Sequence, residues 1–173
     1  MAVLRILQYP DPRLKKKAKW VDQVDDQIRQ VVNDMFDTHY NAQNCAALAA
    51  TQLDFSDPFR ITVIDFSDNK NEPLCLINPE IIYREGQQVV PEGCMSVGGD
   101  VEERIFEYVK RAMNIRVKAI DIEGKPFEMD ASGFMAQCIQ HEIDHLDGYL
   151  YLDRLSDLKR ERLQKKLHKF IKK

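Results

Sequence analysis

The sequence predicts an α+β fold, and three observations carry that expectation. An amphipathic helix pattern comes early, stretches of β character fill the middle, and a helix with two histidines one turn apart comes late. The elements follow in order. Tyr9-Pro10-Asp11-Pro12 reads as a turn leading into the basic stretch Arg13-Leu14-Lys15-Lys16-Lys17. From about Asp25 to Tyr40, Ile28, Val31, Val32, Met35 and Phe36 recur every three or four residues, as on an amphipathic helix. Cys45-Ala46-Ala47-Leu48-Ala49-Ala50 is made almost wholly of small residues and is expected to pack tightly. Ile61-Thr62-Val63-Ile64 and Leu74-Cys75-Leu76-Ile77 read as strands, the second ended by Asn78-Pro79. Ile115-Arg116-Val117-Lys118-Ala119-Ile120 alternates in β fashion, and Glu123-Gly124-Lys125-Pro126 supplies the next turn. A helix from about Ala131 to Leu146 follows, with Gly148 as its stop, and a last helix runs from about Ser156 to the end. No repeat, low-complexity tract or linker interrupts the chain, so one domain over residues 1–173 is expected.

Composition sets the bounds. At 173 residues the chain is long enough to bury a core, and 44% hydrophobic with 31% charged residues is ordinary for a globular protein. A formal net charge of −3 gives no global basic field, so no specific DNA partner is expected. The start, Met1-Ala2-Val3-Leu4-Arg5-Ile6-Leu7, has no signal-peptide apolar region and soon meets Pro10. No run approaches membrane-spanning length, so no membrane partner is expected. Cys45, Cys75, Cys94 and Cys138 lack the close pairing of a zinc ribbon, and reduced thiols in the cytoplasm are the expectation.

The chemistry concentrates in His141-Glu142-Ile143-Asp144-His145. On a helix this spacing puts two imidazoles on one face, about 5–6 Å apart at Cβ, where both rings reach a single metal ion. Glu142, beside the first of them, is placed to take a proton from a water molecule at that ion. Such a set suits a metallohydrolase. Phe134 and Cys138 share the face with His141 and His145 and suit the apolar wall of a pocket, or plain core. Two candidates stand for the third ligand. Glu161 lies sixteen residues past His145, as in a zincin-like peptidase, but basic neighbours explain it as a surface ion pair. Cys94, in Pro91-Glu92-Gly93-Cys94-Met95-Ser96, is slightly favoured, because one thiolate and two imidazoles leave a position open for water.

Three separated stretches together resemble the peptide deformylases. The family's His-Glu-x-x-His followed by Leu and Gly is matched by His141 through Gly148, and its Glu-Gly-Cys-hydrophobic-Ser by Glu92-Gly93-Cys94-Met95-Ser96. Its Gly-hydrophobic-Gly-hydrophobic-Ala-Ala-x-Gln is matched in part by Cys45 through Gln52. Ile6-Leu7-Gln8-Tyr9-Pro10-Asp11-Pro12-Arg13-Leu14 also looks like the family's opening, so the resemblance covers nearly the whole chain. It implies mixed antiparallel strands around a central helix carrying the motif, plus a C-terminal helix.

The resemblance further implies hydrolysis of N-formylmethionyl peptides to formate and a free amino terminus. Cys94, His141 and His145 would bind one Fe2+, with Zn2+, Ni2+ or Co2+ able to substitute. Glu142 would be the general base that later protonates the leaving amine. Gln52 and the backbone N–H of Met95 would donate to the formyl oxygen, a contact worth about 2.7–4 kcal/mol per donor. Ala46 and Ala47 would meet the substrate backbone, with Phe134 and Cys138 in the side-chain pocket. Either Glu92 or Asp144 would orient a ligand histidine. In bacterial-type members a basic C-terminal extension implies contact with the ribosome. From Lys159 to Lys173 this chain has eight Lys/Arg residues and one acid, Glu161. Leu155, Leu158, Leu167, Phe170 and Ile171 form an apolar stripe beside that basic face.

Three departures from the family pattern stand out. Cys45 and Ala47 replace both glycines of the first motif, which restricts any left-handed backbone there and bears on peptide affinity more than on chemistry. Val97-Gly98-Gly99-Asp100 replaces the usual hydrophobic-proline pair, and Arg104 and Arg111 are both candidates for a substrate-contacting arginine. Gln137 stands where an apolar residue is usual near the methionine pocket, which it would narrow or make wetter. These departures leave open a protein that keeps the metal and binds peptides with reduced turnover. Intact Glu142 and Gln52 argue against that, because binding alone needs neither. His39 is expected at the surface or capping its helix, His168 solvated, Cys75 in the core, and Cys45 packed.

Overall fold

In the computed structural model, which describes residues 2–98 and 104–171, helix α1 (Asp26–Asn41) opens the fold. Asp25 caps it, its carboxylate accepting from the Ile28 N–H at 3.0 Å. Ile28, Val32, Met35 and His39 form its buried face. The strands are β1 (Ala47–Ala49), β2 (Ile61–Ile64), β3 (Leu74–Glu85), β4 (Gln88–Glu92), β5 (Glu107–Arg111), β6 (Asn114–Ile120) and β7 (Pro126–Ser132). Five of them make an antiparallel sheet in the order β1-β2-β3-β6-β7, and β4 pairs with β5 in a separate antiparallel ribbon. Helix α2 (Gly133–Leu146) and helix α3 (Asp157–Ile171) complete the chain.

Alternate residues of the central strands serve two cores, as the two-residue repeat of a strand requires. Ile61 and Val63 of β2 and Ile77 of β3 pack with Ile28, Val32 and Met35 of α1. Ile64 and Leu76 pack with Ile139 and Ile143 of α2. The sheet thus lies between α1 and α2, and α2 is buried from Ala136 to Leu146. A third cluster joins Leu7, Leu14, Cys94 and Val109 to Leu163 and Leu167 of α3.

Several boundaries differ from expectation. The strand at Leu74 does not end at Asn78-Pro79 but runs to Glu85. A register shift between Ile77 and Glu80 absorbs the proline, and Asn78 takes a φ of 52°. The Asn78 amide stabilises that kink from the side, accepting from the Val21 N–H and donating to the Val21 carbonyl. Helix α2 starts at Gly133 rather than Ala131, because Ala131 and Ser132 still pair in β7 opposite Ile115 and Asn114. Gly148 does end α2, at a φ of 88°, and a Cβ there would fall 2.5 Å from the Lys15 carbonyl oxygen. Leu155, just before α3, and Leu167 on it are buried as expected, whereas Leu158 is exposed and Leu163 takes its place in the core. The side chains of Phe170 and Ile171 lie outside the described residues, as do Gly99 and Asp100.

Candidate metal centre and active-site cavity

Helix α2 carries His141, Glu142 and His145 into the interior, where each is under a tenth exposed. Buried polar groups must find partners, and those partners define the site. The two imidazole Nε2 atoms lie 3.0 Å apart, and the Cys94 Sγ lies 3.3 Å from His145 Nε2. All three donor atoms fall within 4.8 Å of one another, and this is the one such group among the described residues. Glu92, at the end of β4, meets His141 Nδ1 at 2.7 Å. Its carboxylate accepts the Nδ1 proton and fixes the ring with Nε2 facing the shared centre.

The carboxylate that orients the His141 ring is therefore Glu92. Asp144 is committed elsewhere. Arg111, at the end of β5, grips Glu92 through two hydrogen bonds of 2.6 and 2.8 Å and reaches Asp144 at 2.6 Å. Arg154 then holds Asp144 at 2.7 Å. Burial works against the Glu92 charge, but the Arg111 and His141 hydrogen bonds outweigh it and hold the carboxyl down to about 2. Burial also pushes His145 well below the ordinary imidazole range, which favours the neutral imidazole that a metal ion would require.

Glu142 is the opposite case. Burial raises its carboxyl to about 7, and its Oε2 has no hydrogen-bond partner in the protein. A carboxylate titrating near neutrality is suited to taking and returning a proton. Gln52 sits in the 3-10 turn Ala50–Gln52. Its Oε1 accepts from the Ala49 N–H at 2.9 Å, which turns Nε2 toward Cys94 Sγ at 3.4 Å and Ser96 Oγ at 3.2 Å. Thr51 ties the same turn to α2 by donating to the His145 carbonyl at 2.8 Å.

These groups open onto a cavity of about 380 Å³, lined by Cys94, His141, Glu142, Gln52 and Met95. Ala46, Ala47, Phe134 and Cys138 line it too, so every pocket residue expected from the sequence meets there.

A family model for polypeptide deformylase matches residues 3–161. The chain belongs to the polypeptide deformylase family. It is 59% identical over 167 residues to peptide deformylase 1 of Coxiella burnetii, covering 96% of both chains. It is 50% identical to the peptide deformylase of Alkalilimnicola ehrlichii, covering 99% of this chain and 93% of that one. Among solved structures, a peptide deformylase from Legionella pneumophila matches with a TM-score of 0.88 at 43% identity, covering 99% of this chain and 96% of that one. The activity of this family is removal of the N-formyl group from nascent polypeptides, a metal-dependent hydrolysis.

Against that deformylase frame, several expectations change. Glu161 is exposed on α3 and outside the donor group, so among the described residues no ligand set includes it. Arg111 is buried and fully engaged with two carboxylates, which removes it as a substrate contact. Arg104 lines the cavity, donating to the Asn44 carbonyl at 2.9 Å and to Met95 Sδ at 2.6 Å. Gln137 also lines the cavity, and its amide donates to the Pro91 carbonyl at 3.0 Å, so the backbone satisfies it. His39 is buried rather than at the surface, because Nε2 meets the Asp65 carbonyl at 3.0 Å and Nδ1 meets Cys45 Sγ at 3.2 Å. Cys75 is only partly buried, packed at the edge of the α1 core. The Arg111 grip and Phe106, which also lines the cavity, were missed. Alternation in Glu107-Tyr108-Val109-Lys110-Arg111 was the available signal, since it turns Val109 and Arg111 inward together.

Proposed function

We propose that Cys94, His141 and His145 hold one divalent ion, ferrous in the cell, and that Glu142 and Gln52 do the proton and charge work beside it. The observation that carries this reading is the convergence of three donors within 4.8 Å next to a buried, unpartnered Glu142 oxygen. The donor set fits such an ion, because one thiolate and two neutral imidazoles leave a coordination position open. When bound, the ion supplies Lewis acidity, lowering the pKa of water toward about 7 and polarising the formyl carbonyl.

The protein's own part follows from the geometry. Glu142 takes the proton of the attacking water as its oxygen adds to the formyl carbon. It then returns that proton to the amine nitrogen as the carbon–nitrogen bond breaks, giving formate and a free amino terminus. Gln52 Nε2 and the Met95 N–H donate to the formyl oxygen as negative charge develops there. Glu92, clamped by Arg111, keeps the His141 ring in its ligating tautomer. Ala46, Ala47, Phe134 and Cys138 receive the formylated residue in the cavity.

The chain works as one catalytic domain in the cytoplasm, on N-formylmethionyl chains as they leave the ribosome. The exposed Lys165, Lys166 and Lys169 of α3 give it a cationic face for ribosomal RNA, while Leu163 and Leu167 anchor the helix. The deciding experiment is formate release from a formyl-Met tripeptide by protein purified without oxygen and loaded with ferrous iron. Release that requires the metal supports the reading, and no release overturns it.

A further inference from the structure

Three successive residues near the start of the chain fasten the site from outside. The Leu7 N–H donates to the Gln52 carbonyl at 2.7 Å, and the Tyr9 N–H donates to the Ser96 carbonyl at 2.7 Å. Between them, Gln8 donates from its side-chain Nε2 to the Met95 carbonyl at 2.8 Å. Gln52 and Met95 are the residues whose N–H groups face the formyl oxygen in the function proposed above. Leu7 is buried in the core with Cys94, whereas Gln8 is exposed. The Gln8 bond is therefore the one that a side-chain replacement removes without opening the core.

Met95 and Ser96 are the centre of a tight turn, closed by the Val97 N–H donating to the Cys94 carbonyl at 3.0 Å. The Met95 carbonyl and the Ser96 N–H are the two ends of one planar peptide unit. Gln8 holds the carbonyl end, and the N–H end donates to Cys94 Sγ at 3.4 Å. A rotation of that plane disturbs both contacts together. Gln52 Nε2 also donates to the sulfur, at 3.4 Å. Once Gln52 turns to the formyl oxygen, the Ser96 N–H is the donor that stays. A hydrogen bond to a thiolate draws charge from the sulfur and weakens it as an electron donor. An ion held by that sulfur then keeps more of its Lewis acidity.

We infer that Gln8 is a positioning residue, whose amide holds the Met95–Ser96 peptide with its N–H on Cys94 Sγ and so sets how strongly that sulfur donates to the bound ion. This rests on the reading of Cys94 as a ligand. Gln8 touches neither substrate nor ion, and it acts through one peptide plane.

The test uses cobalt-loaded wild type, Gln8→Met and Gln8→Lys, with Cys94→Ala to assign the sulfur-to-cobalt charge-transfer absorption. Methionine matches glutamine in length and offers no donor, whereas lysine reaches as far and donates. In Gln8→Met the absorption is expected at longer wavelength, because a sulfur with a weakened hydrogen bond gives up an electron more easily. Its kcat on a formyl-Met tripeptide is expected to fall about 2- to 10-fold, the worth of one hydrogen bond, with KM unchanged. Gln8→Lys is expected to restore both. An absorption that does not move in Gln8→Met overturns the inference. So does one that moves equally in Gln8→Lys, which would mark lost shape rather than a lost donor. A wild type without any sulfur-to-cobalt absorption overturns the ligand reading of Cys94 itself, and this inference with it.

Discussion

Replacing Arg111 by methionine removes a buried cation of similar length from between two buried carboxylates. Arg111 and Glu92 side chains are 4% and 2% exposed, so water cannot take over the lost hydrogen bonds. Holding the Glu92 carboxyl at about 2, against an ordinary 4.5, corresponds to about 3 kcal/mol of stabilisation, shared with His141. Breaking a buried ion pair on one side costs about 3–5 kcal/mol by general experience, which agrees. In a chain of this length each kcal/mol lowers Tm by about 2–4 °C, so Arg111→Met should melt about 6–12 °C below the wild type at pH 7. Arg116→Met is the internal control. That arginine pairs with Asp130 at 2.9 Å, but the two side chains are 50% and 72% exposed, and solvent screening leaves the pair little to contribute.

The sign with pH follows from the depressed Glu92 carboxyl. Its stabilisation is complete above about 4.5 and is lost as pH falls toward 2, so the gap between wild type and Arg111→Met should narrow across that window. Metal content is a second readout. A ligand histidine whose orienting carboxylate has come loose binds metal about 10- to 100-fold more weakly. Calorimetric melts and metal analysis of the three proteins decide the matter. If Arg111→Met melted no lower than Arg116→Met, the reasoning from the buried clamp would be refuted.

Four further outcomes are expected. Glu142→Ala should keep its metal and lose turnover by at least about 10²-fold, and a normal formate-release rate would rule out its role as base. Cys94→Ala should lose most of its metal while Glu161→Ala retains it, and equal metal content in wild type and Cys94→Ala would remove the thiolate from the ligand set. The ferrous protein should lose activity in air far faster than the nickel or zinc form, and identical decay across metals would argue against iron. Charge reversal of Lys165, Lys166 and Lys169 should weaken ribosome cosedimentation at low salt while sparing hydrolysis of a free tripeptide. Leu163 and Leu167 stay in place to hold α3, and undiminished cosedimentation would leave the lysines a merely solvated face.

The parts of this fold that could be read from the sequence are those where one periodicity dominates. Helix α1, strands β2 and β6 and the two-histidine helix stood out because their apolar spacing matches their geometry. The β4–β5 ribbon did not, because Pro91 breaks the propensity of β4 and charges crowd β5. Strand β1 is Ala47-Leu48-Ala49, a sequence with no preference for a strand; its pairing with β2 makes it one. His39 misled for a different reason. Its spacing from Ile28, Val32 and Met35 marked it as part of the buried face, but its polarity suggested the surface. The donor group was legible because three residues of two metal-binding types, one cysteine and two histidines, sat in recognisable motifs. What the sequence left open, Glu92 or Asp144, turned on where Arg111 points, and only the packing of β5 against α2 fixes that.

The altered first motif places no left-handed backbone on the two residues that replace its glycines. Cys45 and Ala47 replace glycines, and the restriction expected of them depends on a left-handed backbone at those positions. Neither residue has a positive φ. The left-handed residue of this stretch is Asn44, at a φ of 50°, a conformation asparagine tolerates better than most side chains. Ala47 lies in extended backbone, where it pairs with Ile64. Cys45 turns its thiol toward His39 and the Ala47 carbonyl, and burial pushes that thiol up to about 12, so it stays protonated. Ala47 adds one methyl group to the cavity wall. The departure from the family pattern therefore acts through side-chain volume at the pocket. Gln52, at the end of the same motif, still lies beside Cys94.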